Sequence, residues 1–344
     1  MKIAVIIPNY NGKQFLDPCM SALSGQTCRD FCVIIVDNGS ADGSVETIRG
    51  YEEKGAAIGI YLPENTGFSG AVNAGIEHAL SLPEPPEYVV LLNNDTEAEP
   101  EYLEKMLSVM EFDSGKRIGA VSPLMISQKD RSLIDSAGDG YALTGWAYQR
   151  GVGRKRENPK FRKRTGVFSA CAGAAMYRLS ALCAIRYADG DYFDRKHFAY
   201  LEDVDVSFRM RILGYGIVYE PESRVVHFGS GTSGSRYNDF KVRLAARNNV
   251  YLNCKNMPLL MLLVDLPFIL AGLIIKQMFF VSRGFGKTYA KGVWEGLRTL
   301  PEMRSHHLPF TFRHLKNYLA IELRMIADFF SYLEDLFERK VRHR

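Results

Sequence analysis

The chain has 344 residues, 47% of them hydrophobic and 24% charged, enough for one large α/β unit with an appendage, which excludes a chain disordered throughout. Its net charge of +4 is uneven: residues 236–344 hold 18 Lys or Arg against 9 Asp or Glu, and residues 1–235 hold 25 against 30. The last third therefore favours an anionic partner, and membrane lipid fits better than nucleic acid, because no nucleic-acid-binding module accompanies the basic residues.

Lys2–Pro8, Cys32–Val36, Ile58–Leu62 and Tyr88–Leu92 are short β-branched apolar runs, the pattern of parallel strands buried on both faces. Helical stretches at Gly43–Tyr51 and Gly70–Leu82 alternate with them, as in a doubly wound, Rossmann-like nucleotide-binding half. Ligands collect at the carboxyl ends of such strands. There the chain places Asn9-Tyr10-Asn11, Asp37-Asn38-Gly39-Ser40, Asn65-Thr66-Gly67 and Asn93-Asn94-Asp95. A strand is expected at Gly119–Ser122, followed by a Gly/Asp-rich patch at Asp135–Gly145 and a basic linker from Gly151 to Gly166. A helix then runs from Glu202 to about Leu213, closed by Gly214, and another strand leads into His227.

A domain boundary is expected at 235/236 from charge and hydropathy, with a nucleotide-binding half over 1–97, an acceptor half over 98–235 and a helical, basic extension after it. Within the extension Pro258–Val281 is apolar but interrupted by Asp265, Pro267 and Lys276, which leaves at most ten residues without a charge. That is too short for a clean span. Interfacial helices or a re-entrant hairpin fit better, aided by Arg283, Lys287, Lys291 and the amphipathic tail Arg313–Arg344. A core or dimer helix and a true span are the alternatives, and an oligomer is compatible with the sequence.

Several residues have both a chemical and a structural reading. Asp37 opens a turn after a buried strand, where it would accept a hydrogen bond from a base or serve the turn. Asp95, with Asn93 and Asn94, offers oxygen ligands to a hard divalent cation or is ordinary turn chemistry. In Leu201-Glu-Asp-Val-Asp-Val-Ser-Phe-Arg209 three carboxylates open a helix. They cap it, and its dipole would keep a general base ionised. His227 precedes Gly229–Gly234 and reads as a buried structural histidine or a ligand. Glu64–Gly75 is a small-residue passage into a helix that a ligand can approach closely. The basic run Arg154-Lys-Arg156 and Lys160–Arg164, with seven positive charges, reads as a solvated loop or a mobile lid that attracts a diphosphate-linked lipid or acidic glycan.

The order PNYN, VDNGS, ENTGFSGAVNAGI, LLNNDTE, GAAMYR, LEDVDVSFR and VVHFGSG over residues 1–235 resembles the family 2 inverting glycosyltransferases of the GT-A fold, rhamnosyltransferase-like branch. The resemblance implies that Asp37 contacts the nucleotide base and that Pro8, Asn9, Tyr10 and Asn11 line its pocket. It places Asn65, Gly67 and Asn73 against the donor, and Gly173, in the loop Ala172–Met176, beside donor sugar and acceptor. Asn93-Asn94-Asp95 takes the D-x-D-like position with its first carboxylate replaced, so Asp95 is the charged metal ligand and His227 assists it. The cofactor implied is Mg2+ or Mn2+. The base that deprotonates the acceptor hydroxyl corresponds to Glu202-Asp203, with Asp203 favoured and Glu202 the alternative. Arg247-Asn248 resembles a recurrent pair of this branch whose task the sequence does not give.

The donor implied is dTDP-rhamnose or a UDP-hexose, and the acceptor a lipid-linked or cell-surface glycan. A processive synthase would carry a Q-x-x-R-W motif, which precedes neither Trp146 nor Trp294. A nucleotidyltransferase would need more glycines than Pro8–Lys13 supplies. A catalytically silent binding module would have lost Asp95 or the Glu202-Asp203 pair. Six cysteines without zinc-type pairing, and a Met1 end that begins directly with a strand, favour a reduced chain in the cytoplasm at the inner face of the cell membrane.

Overall fold

The computed structural model describes residues 1–229 and 237–342. Strands β1 (Ile3–Asn9), β2 (Phe31–Asn38), β3 (Ile58–Leu62) and β4 (Tyr88–Leu91) pair in parallel in the order β4-β1-β2-β3. Helices α1 (Lys13–Ser24), α2 (Ser44–Glu53) and α3 (Gly67–Ser81) make the crossovers. Up to the polar residues at their carboxyl ends, β1, β2 and β4 are apolar because both faces are covered. Ile6, Ile34 and Val89 pack with Val72 and Ile76 of α3 on one side, and Val5, Ile35 and Val90 pack with Leu16 and Leu23 of α1 on the other.

Residues 98–235, the half expected to serve the acceptor, extend this sheet. After β5 (Thr96–Ala98) and α4 (Tyr102–Phe112) come β6 (Ile118–Ser127), β7 (Ile134–Ser136), the hairpin β8 (Asp139–Ala142) and β9 (Trp146–Gln149), and β10 (Thr165–Gly166). The chain continues through β11 (Met176–Arg178), α5 (Leu179–Ala184), α6 (Glu202–Ile212) and β12 (Gly216–His227). The complete order is β10-β12-β6-β11-β4-β1-β2-β3, a mixed sheet because β11 runs antiparallel between β4 and β6. The strand expected to stop at Ser122 runs on to Ser127. Pro123 is tolerated because it falls at the register shift between Glu220 and Arg224 of β12, where a missing N–H breaks no regular ladder.

The C-terminal region is helical: α7 (Asp239–Asn256), α8 (Leu259–Val281), α9 (Gly286–Thr299) and α10 (Leu315–Arg342). The anticipated boundary at 235/236 and the residues 230–234 of the glycine-serine segment lie outside the described residues. The re-entrant hairpin does not form, since α8 is one continuous helix with Pro267 inside it. The two charged residues that interrupt its sequence turn toward the protein: Asp265 is fully buried, facing Glu322 of α10, and the Lys276 ammonium lies 5.0 Å from the Trp146 ring centre. The outward face therefore stays apolar, with Leu260, Leu263, Val264, Ile274 and Met278 exposed. By length and composition α8 is able to cross a membrane.

The basic linker is solvated at every charged residue but Arg154, as one reading expected, and it is nonetheless tied down. Arg154 is 2% exposed, lies 2.9 Å from the Glu338 carboxylate and donates to the Asp335 carbonyl. Lys160 pairs with Glu334 at 2.7 Å and Arg164 with Glu220 at 2.5 Å. The acidic end of α10 runs back across the linker and fastens it.

Candidate active site

The ends of β1, β2 and β4 are joined by a chain of buried amides. Asn94 donates to Asn9 at 2.7 Å, and Asn9 donates in turn to the Asp37 carboxylate at 3.1 Å. Asp37 also accepts from the Ser40 N–H at 3.0 Å, so the turn after β2 closes on it. Gly12 makes room for this chain, because a Cβ there would meet the Asn94 amide at 2.0 Å. Asn11, in the left-handed region with φ 48°, accepts from the Ala41 N–H, and Tyr10 stands exposed beside it. Pro8 sits in register with Val36.

Three residues expected against the donor also tie the framework together. Asn65 accepts from Asn38 at 3.0 Å and from the Gly67 N–H at 2.9 Å. Gly67 adopts φ 76°, and a Cβ there would lie 2.4 Å from the Phe198 carbonyl. Asn73 is 1% exposed; its amide accepts from the N–H groups of Tyr192 and Phe193 and donates to the Phe193 carbonyl. A buried amide can leave none of these unmade without cost, so Asn73 holds the 192–193 loop.

At the opposite end of the cleft β5 pairs with the end of β12, Thr96 opposite His227, which carries Asp95 to the histidine. The Asp95 carboxylate lies 3.4 Å from His227 Nε2, and Asp135 lies 2.8 Å from Nδ1. Burial opposes a charge on His227, but its hydrogen bonds to Asp135 and Asp95 outweigh that and raise its pKa to about 10. A carboxylate on one ring nitrogen fixes the orientation of the other, the usual outer support of a metal-ligating imidazole. The donor set of one carboxylate and one imidazole fits a divalent cation that keeps waters and takes diphosphate oxygens, with the nitrogen favouring Mn2+ over Mg2+.

The helix of three carboxylates divides its duties. Asp205 is fully buried and bonded to Arg209, Lys255, Asn256 and Tyr187, so it is a member of an ion network. Burial would raise its pKa, yet Lys255 and Arg209 hold it well below the usual carboxylate range. Asp203 accepts from the Ala172 N–H at 3.2 Å, and burial nevertheless pushes its carboxyl up. Glu202 is pushed up further by burial and by the Asp203 charge, and one of its oxygens has no partner. The helix N-terminus favours ionised carboxylates in this pair, and loss of water acts against it and raises both.

Asp203 has two companions that the sequence reading did not single out. Ligand atoms of Asp139, Cys171 and Asp203 all lie within 4.8 Å of one another, a spacing that admits a shared proton or a cation. Burial, then the Asp203 charge, hold Asp139 well above its ordinary pKa. Asp135 and Asp139 both fall in the Gly/Asp-rich patch, but neither has a motif, and only the β7–β8 turn gives them separate partners. The two clusters meet through the loop after Cys171: Asn93 N–H donates to the Gly173 carbonyl at 2.8 Å, one residue from the N–H that holds Asp203. A Cβ on Gly173 would press on the Asn93 amide at 3.1 Å.

Residues 4–186 match the family model described as Glycosyl transferase family 2. An N-acetylglucosaminyl-diphospho-decaprenol L-rhamnosyltransferase of Mycobacterium tuberculosis is 28% identical over 258 residues, covering 67% of this chain and 78% of that protein. A cholesterol galactosyltransferase of Borreliella burgdorferi is 30% identical over 147 residues, 42% of this chain, and an uncharacterized glycosyltransferase of Nostoc sp. is 33% identical over 138 residues, 40% of this chain. The matches span 39% and 41% of the length of those two relatives. The fold is shared with the 1–349 fragment of S. aureus TarS in complex with UDP-GlcNAc, with a TM-score of 0.57 and 14% identity over 97% of this chain and 92% of that one. It is shared also with GalNAc-T7 bound to UDP, GalNAc and Mn2+, with a TM-score of 0.57 and 16% identity over 73% of this chain and 47% of that one.

Proposed function

The chain belongs to glycosyl transferase family 2 and has the GT-A fold, and from that premise we propose that it moves a sugar from a nucleoside diphosphate donor to an acceptor hydroxyl with inversion. The observation that carries the reading is the loop from Cys171 to Gly173, which fastens the strand end before Asp95 on one side and the Asp203 carboxylate on the other. Asp37 is the group for the nucleotide base. Asp95 and His227, supported by Asp135, are the residues that would hold a divalent cation. When bound, such a cation offsets charge on the departing diphosphate.

Asp203 takes the proton of the attacking hydroxyl. Its raised pKa improves it as a proton acceptor, as a general base needs. Burial and the Asp203 charge favour the protonated form of Asp139 beside it. A single displacement on the face opposite the leaving group inverts the anomeric carbon.

The mycobacterial relative, aligned over two thirds of the chain, supports dTDP-L-rhamnose as donor, with UDP-hexoses second, and a polyprenyl diphosphate-linked glycan as acceptor. The exposed apolar face of α8 and the basic C-terminal third support work at the cytoplasmic face of a membrane. Thermal-shift titration with dTDP-L-rhamnose, UDP-hexoses and GDP-mannose, each with Mn2+, Mg2+ or chelator, tests donor and metal together. Stabilisation by a nucleotide sugar that needs Mn2+ is expected. Indifference to every nucleotide sugar would sink the reading.

A further inference from the structure

The entry to α6 is held in an unfavourable shape. Phe198, Tyr200 and Leu201 have φ of 62°, 73° and 67°, the left-handed region that crowds a side chain's Cβ and persists only where surroundings impose it. The next two residues are Glu202 and Asp203, so this turn sets the direction in which the base leaves the backbone.

The constraint comes from α7. Arg247 Nη2 donates to the carbonyls of Lys196 and His197 at 2.8 and 3.1 Å. The Asn248 amide donates to the carbonyls of His197, Ala199 and Tyr200 at 2.9, 2.9 and 2.8 Å. Arg247 Nε also donates to Asn248 Oδ1 at 3.0 Å, which fixes the way the amide faces. The Phe198 carbonyl is taken by the Ser69 N–H. Every carbonyl from Lys196 to Tyr200 therefore has a donor, and Asn248 is fully buried among them.

We propose that Arg247 and Asn248 are positioning residues for the base: they hold the left-handed 198–201 turn that presents Asp203 to the Ala172 N–H and the cleft. The proposal rests on Asp203 being the base. It makes α7, which lies beyond the residues that match the family model, part of the transfer machinery. Asn248→Asp keeps the size of the side chain but turns a donor toward three carbonyls into an acceptor. Arg247→Lys keeps the charge but loses the planar fork that serves two carbonyls at once.

The test uses full-length protein, nucleoside diphosphate release from dTDP-L-rhamnose and from UDP-glucose, and hydrogen exchange read by mass spectrometry. Asn248→Asp is expected to lower kcat at least thirtyfold with KM for the donor within about twofold, and to speed exchange at residues 196–203 while β1–β4 stay protected. Arg247→Lys is expected to do the same more weakly, lowering kcat about tenfold. In an Asp203→Asn background neither change lowers the residual rate further, whereas a general loss of folding would lower it again. Wild-type exchange at 196–203 in a folded Asn248→Asp protein overturns the proposal, as does a kcat within threefold of wild type when Asp203→Asn alone is inactive. Near-normal turnover by Asp203→Asn overturns the base assignment instead. If Asn248→Asp does not fold, Arg247→Lys decides by the same criteria.

Discussion

The polar groups at the ends of β1, β2 and β4 and those at the start of α6 are both drawn out of water, yet the first set is satisfied internally, whereas among the described residues the second leaves one Glu202 oxygen without a partner. Asn9, Asp37, Asn38 and Asn94 exchange hydrogen bonds with one another and with the turns beside them. Glu202 keeps a carboxylate oxygen without a partner, and Asp139, Cys171 and Asp203 crowd one site. An unsatisfied buried polar group costs about 1–3 kcal/mol, so the second set weakens the fold where the first braces it. The difference separates a rigid frame for a donor from a reactive edge whose carboxyls are left under-stabilised and hence basic.

The largest expected effect breaks the reactive side alone. Asp203→Asn should lower kcat by about 10²- to 10⁴-fold, the range lost with a general base, while nucleotide binding stays within about twofold by calorimetry. Its Tm should equal or exceed that of wild type, since the change removes a carboxylate that is pushed up by burial beside another. A clear fall in Tm would place Asp203 with the frame.

Two residues along the same helix the opposite result is expected. Asp205→Asn leaves Lys255 and Arg209 buried opposite a neutral amide, and breaking such a pair from one side costs about 3–5 kcal/mol. Denaturant unfolding should register that loss, and it should far exceed any change for Asp203→Asn. On the frame, Asn9→Ala removes the link between Asn94 and Asp37 and should cost about 1–3 kcal/mol. The same variant should raise KM for the donor more than it lowers kcat, because the Asp37 carboxylate loses the amide that orients it.

Much of the frame is legible in the sequence because its physics is local. Strands buried on both faces read as continuous apolar runs, and turn residues at their ends mark the ligand edge of the sheet. The reactive side is less legible. Asp135 becomes a partner of His227 only through pairing of β7 with β6 and of β6 with β12, and Asp139 nears Asp203 through its bridge to Ser169, contacts that no local pattern marks. Asn73 looks like a donor contact because it sits in a small-residue passage, yet its real partners lie about 120 positions away at Tyr192 and Phe193. Asp265 and Lys276 break the apolar run of α8 on paper and leave its outer face unbroken, because sequence spacing alone did not reveal that both turn inward.

The smallest expected effect decides which carboxyl of the crowded site holds the proton. Burial pushes Asp203 up, so the acid limb of kcat/KM should lie above the ordinary aspartate range near pH 4. Activity is present above that limb and is lost as pH falls through it, since the base must be ionised. Asp139 is pushed well above its ordinary value by burial first and by the Asp203 charge second, which favours its protonated form beside an ionised Asp203. A neutral asparagine then imitates it closely. Asp139→Asn should shift the acid limb by less than about half a unit, under roughly 0.7 kcal/mol of changed interaction. Were Asp139 ionised beside Asp203, removing its charge would lower the limb by about a unit or more, and the two carboxylates would have to be treated as one coupled pair.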